Sequence, residues 1–272
     1  MDLAMALAAE VDADVVVAND PDADRCAVAV PGPHGWRMLR GDEVGALLGD
    51  FLLRSGAEGV YASSIVSSSL LGVLAASYGQ RHEVTLTGFK WIARVEGLAF
   101  GYEEALGYCV APGLVRDKDG VSALLRVVEL AASLKAEGRT LSNRLDDIAR
   151  EHGLYATDQL SVRVTDLSRI GATMDLLRSK PPAALGGLDI VQVEDLADGV
   201  DGLPPTDGLR YRLAESARVI VRPSGTEPKI KCYLEVVLPV EADDDGGVDA
   251  ARIAAAGRLD AIRADLAAAA GL

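Results

Sequence analysis

Short apolar runs alternate with helical segments over roughly the first 155 residues, and this alternation constrains the fold more than any other feature of the sequence. Strands are predicted at 15–18, 60–66 and 98–103, with helices at 42–53 and 121–137. Strands that alternate with helices favour a parallel or mixed sheet that helices cover on both faces. The sequence therefore predicts the α/β class for this part: the end of one α/β domain, followed by a complete α/β domain with a mixed sheet.

The pattern changes after about residue 155, where most connections between predicted strands become short. The predicted elements there are strands at 159–164, 189–193, 210–213, 218–221 and 230–238, with helices at 168–178 and 248–269. Short connections favour antiparallel pairing, so we expect a C-terminal α+β domain with an antiparallel sheet. The length of 272 residues allows about two domains.

The charge balance excludes two classes of partner. The chain has 41 acidic residues against 27 lysines and arginines, which gives a net charge of −14. Such a chain repels phosphate backbones and anionic lipids, so we expect neither a nucleic acid nor a membrane as a partner. A local cluster of basic residues could still bind one small anion.

The cysteines and the hydropathy pattern indicate a cellular location. Cys26, Cys109 and Cys232 lie far apart and are odd in number, which favours buried thiols in a reducing compartment over a disulfide framework. No apolar run approaches the ~18–20 residues of a membrane span, and the first residues lack the basic region of a signal peptide. We therefore expect a cytoplasmic protein.

Three aspartates at alternate positions, Asp20, Asp22 and Asp24, follow the first predicted strand and are followed by Arg25. In an extended loop, alternate side chains share one side of the chain, so the three carboxylates can converge. Ligand sets made only of oxygen select a hard cation, Mg²⁺ or Ca²⁺. An EF-hand is excluded, because Arg25 and Pro31 stand where it needs Gly and Glu. An aspartyl-phosphate nucleophile at Asp20 and a solvated acidic turn remain as alternatives.

A basic segment from Arg222 to Lys231 lies between two predicted strands. Arg222 offers a bidentate fork, Ser224 and Thr226 offer hydroxyl groups, and Gly225 lets backbone N–H groups approach a ligand. These groups suit a dianionic phosphate, although the spacing of a Walker loop is absent. The alternative is a basic hairpin that is merely solvated.

Two further segments are compatible with a polar ligand. The strand that ends at Glu103 offers carboxylates to sugar hydroxyls, and Lys118 lies between two aspartates in what could be an inert ion pair. The segment Thr85–Trp91 is a strand–glycine–helix turn whose helix N-terminus could face an anion or a polar ligand. Ordinary loop and turn chemistry accounts equally well for either segment alone.

Taken in order, these four segments resemble the α-D-phosphohexomutase superfamily. Asp20–Arg25 resembles its D-x-D-x-D-R metal loop, and Thr87–Trp91 resembles its T-G-F/W-K specificity loop. Glu103–Gly107 resembles its E-x-S sugar-binding loop, and Arg222–Lys231 its R-x-S-G-T phosphate loop. The residues of these segments are most similar to those of the phosphoglucomutase and phosphopentomutase branch, whose bacterial members are often named phosphomannomutase.

Members of the superfamily have four domains around one cleft. The resemblance implies that residues 1–45 end the second domain, 46–154 form the sugar-binding third domain and 155–272 form the phosphate-binding fourth domain. It also implies that the first domain, whose serine carries the catalytic phosphate, is absent, since no Ser-His-Asn-Pro segment occurs in the sequence. We therefore expect a truncated chain that is inactive alone, with Met1 an internal methionine or a misassigned start.

The resemblance implies a phosphosugar mutase that interconverts sugar 1-phosphates with 6- or 5-phosphates through a bisphosphate intermediate, which also activates the intact enzyme. Asp20, Asp22 and Asp24 would bind Mg²⁺ together with a phosphoserine oxygen. Lys118 would be the general acid and base, and Arg25 would lie beside the metal as a second catalytic residue.

A phosphosugar is the implied substrate. The residues implied to bind it are Thr87, Gly88, Lys90, Glu103, Arg222, Ser224, Gly225, Thr226 and Lys229. Glu103 would bind sugar hydroxyls, and the Arg222 group would hold the phosphate that is not transferred. Ala105 departs from the pattern, because most members have a serine there, and one contact to a sugar hydroxyl is lost. A non-catalytic module that binds sugar phosphates is the alternative function, and the sequence leaves the oligomeric state open.

Overall fold

The computed structural model describes residues 1–33, 35–164, 166, 168–225, 227–241 and 245–271. Their contacts divide the chain into two compact units, Met1–His152 and Gly153–Leu272.

The N-terminal unit contains six helices and seven strands among its described residues. The helices are α1 (Asp2–Glu10), α2 (Gly41–Arg54), α3 (Leu70–Ser77), α4 (Phe89–Ile92), α5 (Gly120–Ala136) and α6 (Leu141–His152). The strands are β1 (Val16–Asn19), β2 (Cys26–Gly32), β3 (Gly35–Met38), β4 (Val60–Ser64), β5 (Arg81–Thr85), β6 (Leu98–Glu103) and β7 (Gly107–Cys109).

These strands form two sheets. β1, β2 and β3 form an antiparallel sheet, while the second sheet has the order β5-β4-β6-β7. In the second sheet, β4 pairs parallel with β5 and β6, and β7 is antiparallel to β6. The predicted α/β class with a mixed sheet is therefore confirmed. The sequence prediction did not include β3 and β7, because each is only three or four residues long and adjoins a turn.

An aspartate at the start of a predicted helix is a plausible N-cap, so the sequence predicts this role for Asp42, and the structure corrects it. The cap is Arg40, whose backbone N–H donates to Glu43 Oε2 at 2.7 Å. The Asp42 carboxylate instead accepts the Ser68 N–H at 2.7 Å and the Tyr102 O–H at 2.9 Å. Asp42 therefore joins α2 to the ends of β4 and β6, and long-range contacts prevail over local capping.

Glycines at every fourth position let α2 lie directly on the sheet. A Cβ on Gly41 would come 1.9 Å from the Glu104 carbonyl oxygen, and one on Gly45 would come 2.6 Å from the Tyr102 ring. Positions four apart share one helix face, so this face has room only for hydrogen. The close approach brings the start of α2 to the segment that follows β6.

Buried aromatic side chains lie in a row on the mixed sheet, next to the segment that follows β6. Tyr61, Phe100, Tyr102 and Tyr108 form a ladder across β4, β6 and β7, with neighbouring ring centroids 6.1–6.3 Å apart. All four side chains are almost completely buried. Pairs at such separations stabilise beyond the area that they bury, so the ladder gives the polar edge above it a rigid base.

The C-terminal unit is a six-stranded antiparallel sheet with helices on one face. Its elements are β8 (Leu154–Arg163), α7 (Ser168–Ser179), β9 (Ala184–Leu185), β10 (Leu188–Asp195), a 3₁₀ turn (Leu196–Asp198), β11 (Leu209–Leu213), β12 (Arg218–Pro223), β13 (Lys229–Leu238) and α8 (Asp245–Ala270). The strand order is β8-β13-β12-β11-β10-β9. One core packs α7 and α8 against alternate residues of the sheet, such as Val219 and Val221. The predicted α+β arrangement is confirmed.

All three cysteines are free and buried, as expected. Burial raises the pKa of Cys26 and of Cys232 to about 12, so both remain protonated thiols at neutral pH. Among the described residues, no helix is long and apolar enough to span a membrane.

Candidate functional site

The turn between β1 and β2, residues Asp20–Arg25, brings three carboxylates together, and we call it the carboxylate loop. One oxygen each from Asp20, Asp22 and Asp24 lies within 4.8 Å of the others. The loop closes because Asp20 Oδ1 accepts the Arg25 N–H at 3.0 Å and Asn19 Nδ2 donates to the Arg25 carbonyl at 2.7 Å. The strand pair β1–β2 thus holds the alternating aspartates in convergence.

The electrostatics of the carboxylate loop suit a hard cation. Desolvation opposes ionisation of Asp20, but hydrogen bonds from the backbone of Arg25 and of Asp20 itself prevail and lower its pKa. Asp24 Oδ1 is buried and has no hydrogen-bond partner in the described part of the chain. An unpartnered carboxylate oxygen is costly to bury, and a divalent cation would satisfy it. The three side chains therefore fit Mg²⁺ or Ca²⁺ in donor type and proximity.

The second group of predicted residues lies at one edge of the mixed sheet. β4, β5 and β6 are parallel, so their carboxyl ends meet at this edge, which is where open α/β sheets bind ligands. Glu103 ends β6, and the turn after β5 contains Gly88. Glu103 Oε1 accepts the Gly88 N–H at 2.7 Å, so the predicted sugar residue and the predicted specificity turn are in direct contact.

The turn after β5 leads into the short helix α4. Gly88 has a φ of +103°, which favours glycine, and Thr87 before it is half-buried. Lys90 is exposed, with its Nζ 5.6 Å from the centre of the Trp91 ring. Thr87, Gly88 and Lys90 therefore lie at the same sheet edge as Glu103, with the Lys90 ammonium open to solvent.

Backbone contacts fasten the carboxylate loop to this edge. Arg25 forms a β-bridge with Gly107, and the Cys26 N–H donates to the Leu106 carbonyl at 3.0 Å. On its other side, the Ala23 carbonyl accepts the Gly120 N–H at 3.0 Å from the first residue of α5. The carboxylate loop, the segment after Glu103 and the start of α5 therefore form one structure within the N-terminal unit.

Lys118 precedes α5 and reaches into the carboxylate loop. Its Nζ lies 2.6 Å from Asp24 Oδ2, and its side chain is 22% exposed. The Arg25 Nε is 3.7 Å from both Asp20 Oδ2 and Asp24 Oδ1. The predicted catalytic residues Lys118 and Arg25 are thus beside the predicted metal ligands. The ion pair that the sequence suggested for Lys118 is made with Asp24, not with its neighbours in the chain.

Buried polar residues that the sequence prediction missed support the segment after β6. The Glu104 N–H donates to Ser67 Oγ at 3.1 Å, and Ser67 Oγ lies 2.8 Å from Ser64 Oγ. The Ser64 and Ser67 hydroxyls also lie 3.3–3.4 Å from Glu104 Oε2. The run Ser67–Ser69 predicts caps for the helix that follows, and Ser69 is the N-cap of α3. No local signal showed that Ser67 would instead hold Glu104, which is 37 residues away.

The predicted phosphate segment is the tip of the β12–β13 hairpin in the C-terminal unit. Arg222 and Lys231 are direct cross-strand partners, and the Ser224 N–H donates to the Lys229 carbonyl at 2.9 Å. The described part of the tip is formed by Ser224, Gly225, Glu227 and Pro228. Thr226, which was also predicted to bind phosphate, lies outside the described residues.

The cations of this hairpin differ in their partners. Lys229 Nζ is 2.8 Å from Glu227 Oε2, and a hydrogen bond from Lys229 lowers the pKa of Glu227. In the described part of the chain, neither Arg222 nor Lys231 pairs with a carboxylate, although like charges opposite each other repel. Arg222 and Lys231 are therefore more available to an anion than Lys229 is. Lys231 was not among the residues predicted to bind phosphate, and its position opposite Arg222 in the hairpin is what identifies it.

Comparisons with known proteins place both units in one family. Residues 40–152 match the model "Phosphoglucomutase/phosphomannomutase, alpha/beta/alpha domain III". Residues 160–253 match "Phosphoglucomutase/phosphomannomutase, C-terminal domain". One matched range falls in each structural unit.

Two curated relatives have different names. A probable phosphomannomutase of Haemophilus influenzae is 47% identical over 238 residues, which are 86% of this chain and 48% of the relative. A human phosphopentomutase is 37% identical over 272 aligned positions, covering 87% of this chain and 44% of the relative. The chain thus spans about half the length of the curated relatives that it matches.

Two solved structures share the fold. The phosphoglucomutase parafusin of Paramecium has a TM-score of 0.67 at 22% identity, covering 96% of this chain and 46% of that one. The N-acetylphosphoglucosamine mutase of Aspergillus fumigatus, solved with GlcNAc-6P and magnesium, has a TM-score of 0.50 at 14% identity, covering 90% and 52%.

Proposed function

Because the chain belongs to the phosphoglucomutase/phosphomannomutase family, we propose that it supplies the metal, sugar and phosphate sites of a phosphosugar mutase. Such an enzyme is an intramolecular phosphotransferase that interconverts a sugar 1-phosphate with the 6- or 5-phosphate through a bisphosphate. In this proposal, residues 1–45 complete a second domain, 46–154 form the third and 155–272 form the fourth. The family models, one in each unit, support this division.

Magnesium is the cation that we propose for the carboxylate loop. Asp20, Asp22 and Asp24 would hold it, since they offer only oxygen ligands and Asp24 Oδ1 is buried without a hydrogen-bond partner among the described residues. Bound magnesium supplies charge neutralisation for a phosphoryl group in transfer. The magnesium in the structure of the Aspergillus mutase supports the same choice.

Glu103 is proposed to bind the sugar. One carboxylate oxygen is fixed by the Gly88 N–H, and an ionised carboxylate has further acceptor capacity for sugar hydroxyls. The fixed oxygen orients the carboxylate. When the bisphosphate reverses its orientation in the site, different sugar hydroxyls can therefore meet the same acceptor. Thr87 and Lys90 border this position and are proposed to contact the substrate as well.

Lys118 and Arg25 are proposed to act on the transferring group. A lysine ammonium within reach of the sugar oxygen can give up a proton to it and recover one. Arg25, half-exposed beside Asp20 and Asp24, offers its guanidinium to a phosphoryl oxygen. The Ser-His-Asn-Pro segment, whose serine carries the phosphate in this family, does not occur within these 272 residues.

The phosphate that is not transferred is assigned to the β12–β13 hairpin. Arg222, Ser224, Gly225 and Thr226 would hold it, with Lys231 opposite Arg222 as an additional cation. Lys229 takes a smaller share, because its ammonium already pairs with Glu227. The guanidinium of Arg222, which pairs with no carboxylate of the described residues in a chain of net charge −14, is the single observation that carries this assignment.

The sugar itself is proposed only as a class. The relatives are named phosphomannomutase and phosphopentomutase, so hexose and pentose phosphates are both candidates. Ala105 is exposed and offers no hydroxyl at the position that we predicted to contact the sugar. A sugar that needs one fewer polar contact is consistent with this residue.

Calorimetric titration with glucose 6-phosphate and ribose 5-phosphate, each with Mg²⁺, tests the proposal. Arg222→Ala removes a charged hydrogen-bond partner of the phosphate and should cost about 1–3 kcal/mol of binding free energy, or roughly 5- to 150-fold in Kd. Arg126→Ala, an exposed arginine of α5 paired with Glu129, is the control and should bind like the unchanged chain. If Arg222→Ala binds both sugar phosphates as tightly as the unchanged chain does, the phosphate assignment is wrong.

A non-catalytic module that binds sugar phosphates is the second candidate, favoured by the lack of a Ser-His-Asn-Pro segment in this sequence. It predicts the same binding and the same loss in Arg222→Ala. The two candidates separate when a phosphoserine-bearing N-terminal half of a related mutase is added. Restored interconversion of glucose 1-phosphate and glucose 6-phosphate supports the mutase.

A further inference from the structure

We propose that Lys118 is the resident counter-ion of the carboxylate loop, and that a divalent cation which binds there has to displace Lys118 from Asp24. The inference rests on the magnesium site proposed above. It adds to the proton-transfer role of Lys118 an earlier role, in which this lysine sets the affinity of the loop for its cation.

The contact between Lys118 and Asp24 is short and partly shielded. Nζ lies 2.6 Å from Oδ2, and the two side chains are 22% and 30% exposed. Partly buried pairs are screened less by salt than pairs on the open surface. The ammonium therefore neutralises Asp24 more effectively than a mobile surface lysine would.

Two neighbours guide the lysine stem to this position. A Cβ on Gly107 would lie 2.5 Å from Lys118 Cδ, so only glycine leaves room for the stem. On the other side, Nζ lies 5.9 Å from the centre of the Phe89 ring. The backbone beside the lysine is also fixed, because the Asp119 N–H donates to the Tyr108 carbonyl at 3.0 Å. Lys118 thus reaches the carboxylate loop along a route built by β7 and α4.

The local charge balance shows what a cation would meet. Three carboxylates face two protein cations, Arg25 and Lys118, so the loop has a net charge of −3 + 2 = −1. A divalent cation would reverse this sign unless positive charge moves away. Arg25 is 51% exposed and its Nε is 3.7 Å from its carboxylates, whereas Lys118 Nζ forms a close ion pair with Asp24 Oδ2 at 2.6 Å. Lys118 is therefore the cation in direct competition for Asp24.

This exchange links two events at the site. Asp24 can give its full charge to the divalent cation only when Lys118 leaves Oδ2. The Lys118 ammonium then becomes available beside Gly107 and Phe89, between the segment after Glu103 and the turn after β5. Cation binding therefore releases the residue that we propose for proton transfer.

Titration of the 272-residue chain with Mn²⁺, with free Mn²⁺ measured by electron paramagnetic resonance at fixed pH and ionic strength, tests the inference. Lys118→Met keeps most of the stem but removes the competing charge, and should bind Mn²⁺ about tenfold more tightly. Lys118→Arg keeps the charge and should bind like the unchanged chain. Lys135→Met is the matched control, since it removes an exposed lysine of α5 that pairs with Asp14 and has no role in the proposed site.

The possible outcomes separate this inference from the proposed function. Unchanged or weaker Mn²⁺ binding in Lys118→Met overturns the counter-ion role, even if Asp24→Asn abolishes binding and so supports the metal site. An equal gain in Lys135→Met also overturns it, because the general loss of one positive charge would then explain the effect. If neither the unchanged chain nor Lys118→Met binds Mn²⁺, the magnesium site and this inference both fail. Lys118→Ala with an unchanged circular dichroism spectrum serves as a second variant.

Discussion

Two cations that face each other across a β-hairpin raise the free energy of the folded chain unless an anion lies between them. Arg222 and Lys231 occupy such positions on β12 and β13. The neighbouring pair Arg218–Glu235 on the same two strands is neutralised within the protein, at 2.6 Å. A phosphate bound between Arg222 and Lys231, as we propose, would remove the repulsion between these two side chains.

Two lysines of β13 allow a sharp test at the residue scale. Lys231→Met should weaken binding of glucose 6-phosphate about tenfold, because it removes an unpaired cation of the proposed site. Lys229→Met should change binding by less than about threefold, since that ammonium already pairs with Glu227. Calorimetry on both variants measures the difference. A larger loss in Lys229→Met than in Lys231→Met would contradict the assignment.

The sequence predicted the types of side chain in the site better than their partners. Asp20, Asp22 and Asp24 converge as their alternation indicated, because a two-strand turn fixes them locally. The partners of Asp42 and Ser67 could not be predicted, since they come from β6 and from the segment after it. Contacts between residues distant in sequence depend on how α2 and α3 pack against the sheet.

At the scale of elements, a buried ion pair joins α2 to α6. Asp50 is completely buried, and its two oxygens accept Arg144 Nη2 at 2.6 Å and Arg144 Nε at 2.8 Å. Desolvation opposes the charge on Arg144, but the hydrogen bonds that it donates to Asp50 prevail and raise its pKa. Bidentate geometry of this kind compensates the cost of burial only while both partners are present.

Loss of one partner should therefore destabilise the N-terminal unit. Arg144→Met leaves Asp50 charged and buried, and should lower the free energy of unfolding by about 3–5 kcal/mol. Arg126→Met, which breaks an exposed pair with Glu129 on α5, should change it by less than about 1 kcal/mol. Urea unfolding followed by tryptophan fluorescence reports on this unit, because both tryptophans, Trp36 and Trp91, belong to it. Equal effects of the two substitutions would refute the argument.

The segment after β10 depends on ion pairs with β11. Arg210 Nη2 lies 2.7 Å from Asp201 Oδ2, and Arg210 Nε lies 2.6 Å from Glu194 Oε2. Hydrogen bonds from Arg210 lower the pKa of both carboxylates, against desolvation. The pKa values of Glu194 and Asp201 are lower in the folded chain than in the unfolded chain. The two carboxylates therefore stabilise the fold fully at pH values above their unfolded pKa values. This stability is lost as the pH falls through the folded values.

Acid should therefore loosen this segment first in the C-terminal unit. Below about pH 4.5, the usual value for a glutamate, amide hydrogen exchange in residues 188–213 should accelerate as Glu194 and Asp201 become protonated. Arg210→Met should remove most of that pH dependence and expose the same amides already at pH 7. If amide exchange in residues 188–213 of the unchanged chain stays constant from pH 7 to pH 3, after correction for the intrinsic rate, this explanation is contradicted.

At the scale of the whole molecule, both units contain residues of the proposed site, but no Ser-His-Asn-Pro segment occurs among the 272 residues. We expect the purified chain, given Mg²⁺ and glucose 1,6-bisphosphate, to produce no glucose 6-phosphate from glucose 1-phosphate above the uncatalysed rate. A coupled dehydrogenase assay measures this. Sustained turnover would mean that another residue carries the phosphoryl group, with Asp20 the first candidate for covalent labelling.

The sequence by itself determined the fold class, the convergence of the three aspartates and the family of the chain. These features depend on local periodicity, on turns of a few residues and on the order of four motifs, all of which are visible in the linear sequence. The tertiary structure alone decided that Lys118 pairs with Asp24, that Glu103 contacts Gly88 and that Lys231 faces Arg222. Each of these contacts joins separate elements, so it depends on the packing and register of strands and helices, which no local pattern encodes.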